Sequence, residues 1–308
     1  MLNKISSWFM EEINCPVCGA NQSKKLGIRG NKEYFGAIPT TEPHIVTNVV
    51  RCHRCDFIYT SPMVRGVEFS EKDYYNNSDE YQATQRPNAV TMFQKRLSFI
   101  SKYKNRGRLL DVGSGKGEFL FAAQKKGWEV AGIEPSPNFC QFAKEHYGLN
   151  IYNGFLGENC EIRKSYFDIV TLNHVLEHID NPGKLLKLAF EYLAADGLIF
   201  IEVPNADSYL LHIIDFYFKK KGLNWSSRLS PLHPPYHKYG FTRKSLLYLL
   251  KKCSYQRIKL KTFSGIDRGY QSKEHGSKIE ALSRNFISIF TNFIGNRENL
   301  CVLVKPVR

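Results

Sequence analysis

No stretch of the 308-residue chain is both apolar and long enough to cross a bilayer. The longest, Tyr209 to Phe218, is interrupted by His212 and Asp215, and a spanning helix needs ~20 residues. The first residues, MLNKISSWFMEEIN, hold no apolar core of signal-peptide length, so a cytoplasmic protein is expected. Repeats and low-complexity tracts are also missing, which excludes solenoids and linker-like chains. Acidic residues are scarce at one end only. Residues 219–308 carry 4 Asp and Glu against 19 Lys and Arg, whereas residues 1–218 carry 25 against 24. The net charge of +14 therefore resides in the C-terminal part, which suits an anionic partner such as a phosphate-bearing small molecule, a membrane surface or RNA. What is present is ordinary globular material, 43% hydrophobic and 13% aromatic, ample for a core.

Four of the eight cysteines form two close pairs, Cys15/Cys18 and Cys52/Cys55, with 33 residues between the pairs. Two residues between cysteines let both thiolates converge on one metal, and two such knuckles complete a tetrahedral four-sulfur zinc site. A closed shell of this kind leaves no place for water, so the expected zinc is structural. His53, inside the second knuckle, reads as a spacer. The remaining cysteines (Cys140, Cys160, Cys253 and Cys301) are scattered through apolar surroundings.

The first block, about 13–62, sets the cysteines among glycine, proline and β-prone pieces such as Ile45–Val50 and Phe57–Tyr59. An Asn-rich stretch, Glu71–Asn88, reads as a linker, followed by a helix with Val90, Phe93, Leu97 and Ile100 on one face. From Arg108 strand and helix alternate: strands at Leu109–Val112, Trp128–Ile133, Phe167–Leu172 and Leu198–Val203, and helices at Phe119–Lys126, Asn138–Tyr147 and Pro182–Leu193. Such units predict a parallel sheet covered on both faces. Residues 205–241 are an aromatic and His/Pro-rich excursion. A helix at Thr242–Cys253, a strand near Arg257–Phe263, a helix at about Lys278–Ile294 and a strand at Leu300–Val304 complete the reading.

Between the first strand and helix runs Asp111-Val-Gly113-Ser114-Gly115-Lys116-Gly117. Glycines let backbone approach a ligand closely, and an acid 23 residues after Asp111, Glu134, is placed to take two ribose hydroxyls. The segment lacks the GxxxxGK[ST] spacing of a phosphate-cradling loop, and its third glycine is out of register for a dinucleotide. Asp111 beside the turn is unfavourable near pyrophosphate and favourable near a cation. A nucleoside carrying positive charge fits, as S-adenosylmethionine does.

DVGSGKGEF, GIEPS, FDIVTLNHVLEHI and DGLIFIEVPN together resemble the motifs of class I S-adenosylmethionine-dependent methyltransferases, closely over about 108–204. The cysteine knuckles followed by Phe57-Ile-Tyr-Thr-Ser-Pro62 resemble the zinc-binding N-terminus of one branch, often associated with sugar and surface-polysaccharide biosynthesis; its sugar C-methyltransferases carry a further large C-terminal domain that is not present here. The resemblance implies an α/β fold, a doubly wound, mostly parallel, seven-stranded Rossmann-like sheet with a small zinc-ribbon-like module. It implies a zinc module over 1–70, a linker and helix over 71–106, and a methyltransferase domain over 107–308 with a substrate lid at about 205–241. It also implies that Asp111, Gly113, Ser114 and Gly115 line the methionine part of S-adenosylmethionine, that Glu134 takes the ribose, that Asn153 contacts adenine, and that Asn173 lies beside the transferable methyl. Gly117 is expected to serve helix packing.

A sulfonium methyl is already activated, so the protein must align donor and acceptor and remove a proton from a hydroxyl or carbon acid. His237 is the expected base, with His233 and Tyr236 from the same proline-stiffened segment and His174 after the fourth strand as further candidates. Glu177 and His178 are expected to be structural. Methyltransferases of the ubiquinone pathway can bind metal through a related Glu-rich segment, but Asn173 or His174 stands where another Glu is needed, so no metal is expected there. The favoured activity is methylation of a small molecule, a nucleotide- or lipid-linked sugar, at oxygen or carbon. An RNA methyltransferase is the first alternative: some join a zinc module to this fold, but the fourth strand ends in Asn173-His174-Val175 rather than in the Asn-Pro-Pro-aromatic motif. A non-catalytic cofactor-binding protein is the second. Peripheral contact of the basic C-terminal third with a membrane or an anionic substrate is a further expectation.

Overall fold

The computed structural model describes residues 9–30, 46–65, 89–158, 161–231, 237–263 and 297–307. Its centre is a seven-stranded sheet built from β6 (Arg108–Val112), β7 (Glu129–Glu134), β8 (Ile151–Asn153), β9 (Phe167–Asn173), β10 (Leu193–Pro204), β11 (Tyr255–Phe263) and β12 (Asn299–Pro306), in the order β11-β12-β10-β9-β6-β7-β8. β12 is antiparallel to β10 and β11, and the other pairings are parallel. The central strands are near-continuous apolar runs because both sheet faces are covered. On one face Leu109, Ile169, Leu198 and Phe200 pack with helix α1 (Ala89–Ile100), α2 (Glu118–Gln124) and α3 (Pro137–Tyr147). On the other, Leu110, Val170, Ile199 and Ile201 pack with α4 (Pro182–Glu191) and α6 (Arg243–Lys252).

Local chemistry starts these helices where the sheet needs them. The Ser136 side chain caps α3, accepting from Phe139 N, and Asn181 caps α4, accepting from Lys184 N at 2.9 Å. Thr242 and Ser245 form a reciprocal capping box on α6. α2 begins at Gly117 without a side-chain cap; a Cβ there would meet Ala143 Cβ at 3.1 Å, which agrees with a packing role.

The cysteine segment folds as a three-stranded antiparallel sheet of β2 (Ser23–Gly30), β3 (Val46–Cys52) and β4 (Ile58–Thr60), beside a ribbon of β1 (Phe9–Glu11) and β5 (Met63–Arg65). It is not a separate bead. Cys15, Val17, Phe57 and Tyr59 belong to the same buried core as α4 and α6, and Lys252 Nζ donates to Val17 O at 2.8 Å.

Several boundaries depart from the sequence reading. β2 was not foreseen: it offers only Leu26 and Ile28 among lysines and glycines, and its pairing with β3 supplies what its own pattern does not. β10 begins at Leu193, five residues early, through an irregular register before Leu198. The 205–241 excursion contains a helix, α5 (Tyr209–Lys220); its apolar residues lie all round, so no single face announced it. The expected linker over Glu71–Asn88 and the expected helix at Lys278–Ile294 lie outside the described residues. No described helix is long and apolar enough to cross a membrane.

Candidate active site

The chain leaves β6 toward β7 and β8 on one side and returns as β9 on the other, so β6 and β9 flank the switch point at their C-terminal ends, where open α/β sheets take ligands. Asp111 ends up there, 1% exposed. Its Oδ1 accepts from Thr171 Oγ1 at 2.6 Å and from Asn173 Nδ2 at 3.0 Å. Burial pushes the Asp111 carboxyl up to about 7, against these two bonds and with a small push from Glu134. Among the described residues no cationic side chain bonds this buried acid, an arrangement that suits a positively charged ligand.

The glycine turn is tied to the end of β7. Gly113 N and Ser114 N both donate to Ile133 O, at 2.8 and 3.1 Å. Gly113 and Gly115 take φ of +71° and +54°, a region that L side chains avoid, and a Cβ on Gly113 would meet Val175 Cγ2 at 2.8 Å. Glu134, 4% exposed, accepts from Gly115 N at one carboxylate oxygen and from Ser136 N at the other, both at 2.9 Å. Burial raises it, and those two bonds hold it back. Asn153 Nδ2 donates to Glu134 O and Pro135 O, at 3.0 and 2.9 Å, which braces the turn after β7. Two buried polar atoms in this neighbourhood have no described partner, Ser114 Oγ and Asn173 Oδ1. An orphaned acceptor bonded through its own amide to a buried acid fits a ligand that brings N–H donors and positive charge.

The turn after β9 holds a second cluster. His174 sits at φ +55°, strained for a residue with a Cβ. Its Nδ1 faces Glu177 Oε1 at 3.1 Å and its Nε2 faces Glu202 Oε1 at 3.5 Å. Desolvation works against a charged ring, but the hydrogen bonds to Glu177 and Glu202 outweigh it and push His174 up to about 10. Glu202 is shared: Arg96 Nη2 and Nε reach it at 2.7 and 3.0 Å, and Asn299 Nδ2 donates at 2.6 Å. Arg96 and Glu202 are each 2% exposed. Glu177 is fully buried and held below the usual carboxylate range: burial opposes this, but the His174 bond and the fields of His174, His178 and His237 prevail.

His237 reaches this turn from the excursion. Lys238 N and Tyr239 N donate to Glu177 O at 3.1 and 3.2 Å, and the His237 and His178 rings lie 5.0 Å apart, edge to face. Ligand atoms of Glu177, His178 and His237 all fall within 4.8 Å of one another, and Glu177 Oε2 is buried with no described partner. Glu177 and His178 were expected to be structural, not part of a site. They are joined to His237 only by the chain's return from residue 205 to 237, and an i, i+1 Glu-His pair carries no signal of that. His233 and Tyr236 lie outside the described residues.

The four knuckle cysteines converge. Cys15 Sγ is 3.5 Å from Cys55 Sγ, Cys18 Sγ is 3.4 Å from Cys52 Sγ, and all four sulfurs lie within 4.8 Å of one another. They are thiols, not disulfides. Zn–S bonds of ~2.3 Å in a tetrahedron put sulfurs ~3.8 Å apart, so the donor set fits one zinc. His53 is exposed and outside the set.

A family model described as a methyltransferase domain matches residues 75–256. The ubiquinone biosynthesis O-methyltransferase of Glaesserella parasuis is 32% identical over 133 residues, 39% of this chain and 56% of that protein. The chain spans 56–60% of the length of this relative and its counterpart from Hydrogenovibrio crunogenus. Among solved structures, a SAM-dependent methyltransferase from Archaeoglobus fulgidus aligns over 75% of this chain and 99% of its own, at 21% identity and a TM-score of 0.50. The plantazolicin methyltransferase BpumL, solved with SAH, aligns over 78% and 92%, at 19% identity and a TM-score of 0.50. These structures share the fold.

Proposed function

The chain belongs to the methyltransferase-domain family, and from that premise we propose that it transfers the methyl group of S-adenosylmethionine to a hydroxyl of a small molecule. One observation supports the reading: a buried acid, Asp111, held by Thr171 and by the amide nitrogen of Asn173, whose carbonyl oxygen has no partner among the described residues, at the start of a glycine turn that includes Gly113 and Gly115. The cofactor supplies a methyl already activated on a sulfonium. Asp111 and the Asn173 carbonyl bind the cationic end, the backbone of Gly113 to Gly115 lies against it, and Glu134, oriented by Gly115 N and Ser136 N, faces the ribose. Asn153 serves by bracing the β7 turn.

His237 removes the proton from the acceptor hydroxyl. It stands on the returning segment whose backbone binds Glu177 O in the turn after β9, and the ionised Glu177 beside it stabilises the imidazolium that forms. His174 does not take this role, because both ring nitrogens are engaged by Glu177 and Glu202. His178 helps to hold His237 in place by ring contact. The cysteine module binds one structural zinc. Its attachment to this fold, taken with the motif resemblance, supports a nucleotide- or lipid-linked sugar as the acceptor; the ubiquinone relatives' names support O-transfer as the chemistry.

The test has two arms. Calorimetry should show S-adenosylmethionine binding that Asp111→Asn weakens at least tenfold. Methyl transfer from labelled cofactor, screened against nucleotide sugars and phenols, should fall ~10²-fold or more in His237→Ala with cofactor affinity unchanged. No cofactor binding by the wild-type chain refutes the reading; full turnover by His237→Ala removes the base. Glu177, His178 and His237 also form a donor set for a divalent cation, a second way to activate a hydroxyl. Activity lost in EDTA and restored by Mg²⁺ favours it.

A further inference from the structure

Helix α5 is built from apolar residues almost throughout, YLLHIIDFYFKK, yet none of its residues is fully buried. A helix that is hydrophobic all round normally lies inside a core or against lipid. The inward side is only half-covered, by Leu210, Leu211, Ile214 and Phe218. Outward stand Tyr209 (41% exposed), Ile213 (42%), Phe216 (61%) and Tyr217 (58%), and just beyond the helix Leu223 (43%). Positions 209, 213, 216, 217 and 220 share one helical stripe, so these side chains form one surface rather than scattered exposures.

The charges on this surface have one sign. Lys219, Lys220 and Lys221 close the helix; Lys220 Nζ lies 5.5 Å from the Phe216 ring and Lys221 Nζ 5.9 Å from the Tyr217 ring. The one acid in the helix, Asp215, faces inward, where its oxygens take Ser227 N, Ser227 Oγ and Arg228 Nε at 2.7, 2.7 and 2.9 Å. Aromatic rings beside lysines, with no acid among the helix's own outward residues, match the interfacial zone of a bilayer. There rings sit at headgroup depth and ammonium groups reach lipid phosphates. A second copy of the chain is the poorer occupant: each carries a net charge of +14, so two copies repel on approach, whereas an anionic surface attracts the lysine run.

We propose that α5 docks the protein on an anionic membrane surface, with Ile213, Phe216 and Tyr217 entering the interface and Lys219, Lys220 and Lys221 engaging lipid phosphates. The surface does not depend on which acceptor is methylated, nor on whether transfer occurs.

Flotation with vesicles of phosphatidylcholine alone or with 30% phosphatidylglycerol tests it (about a third anionic lipid, enough to set up an attractive surface potential). The wild-type chain should float with the anionic vesicles, and at least tenfold less with the neutral ones. Phe216→Ser/Tyr217→Ser should lose at least tenfold of that binding, with S-adenosylmethionine affinity or thermal unfolding unchanged as evidence of an intact fold. Lys219→Glu/Lys220→Glu/Lys221→Glu should lose both the binding and its salt dependence. Absence of binding to either vesicle, or binding that survives both variants, overturns the proposal. A wild-type dimer in sedimentation that Phe216→Ser/Tyr217→Ser makes monomeric overturns it too, by assigning the face to a second copy.

Discussion

Ile58 and Gly240 exchange both of their main-chain hydrogen bonds, Ile58 N to Gly240 O at 3.0 Å and Gly240 N to Ile58 O at 2.8 Å. One residue belongs to the cysteine module and the other stands three positions after His237. Rings seal the same join: Phe57 meets Tyr239 at 5.4 Å and Phe241 at 5.0 Å between centroids. The module thus holds the strand that presents the proposed base.

Gly240 has no room for a side chain. A Cβ would stand 2.7 Å from Ala206 Cβ and 3.1 Å from Ile58 Cβ. Gly240→Ala should cost about 1–3 kcal/mol, read as a lower unfolding midpoint in denaturant. Turnover should fall further than cofactor affinity, because the join moves and the glycine turn does not. Equal losses in both would show that Gly240 acts only on global stability.

The cysteine set should carry about one zinc per chain, measured by elemental analysis. Cys55→Ser should release it and lower the thermal midpoint, since binding free energy at such a site is folding free energy. Because Cys55 and Phe57 lie in one buried core, the variant should also show faster proteolysis near residues 237–241. A folded, stable, metal-free wild-type protein would rule zinc out.

Cofactor affinity should depend on pH through Asp111. Burial lifts its carboxyl to about 7, and a cationic ligand needs it ionised. Affinity for S-adenosylmethionine should therefore weaken as pH falls below about 7, by up to about tenfold per unit. Asp111→Asn should bind weakly and without that dependence. For the ligand-free chain the sign is opposite to that of a salt-bridged acid. The folded state holds the proton more tightly than the unfolded one, so Asp111 subtracts stability progressively as pH rises from about 4 to about 7. Calorimetric titrations at pH 6, 7 and 8 check the affinity, and a wild-type profile as flat as that of the Asn variant would show that Asp111 does not meet the cation.

Arg96 and Glu202 are a buried pair that should tolerate loss of both charges better than loss of one. Arg96→Met leaves the buried Glu202 carboxylate without its guanidinium, and should cost about 3–5 kcal/mol. Arg96→Met with Glu202→Gln should recover part of it. Denaturant melts of the two single variants and the double variant measure the coupling, and strict additivity would show that the pair does not act as a unit.

The alternating β-α order, the glycine turn, the acid at 134 and the cysteine knuckles were legible along the chain because each rests on local physics. Parallel strands buried on both faces read as apolar runs, turns of positive φ need glycine, and metal knuckles need fixed short spacing. Residues 23–30 and 209–220 were not legible as β2 and α5, since one is held by its partner strand and the other shows apolar residues on every face.

What the sequence determined by itself is the inventory: which segments alternate as strand and helix, which glycines and acids stand around the turn after β6, and which four cysteines come in two short-spaced pairs. Only the tertiary structure decided company. It set Glu177 and His178 beside His237, clamped His174 between Glu177 and Glu202, fixed the cysteine module to Gly240, and left one face of α5 exposed among the described residues. Apart from the His174–Glu177 pair, these contacts join residues dozens to nearly two hundred positions apart, and they arise from the closing of strands and loops in space, which no local pattern of side chains encodes.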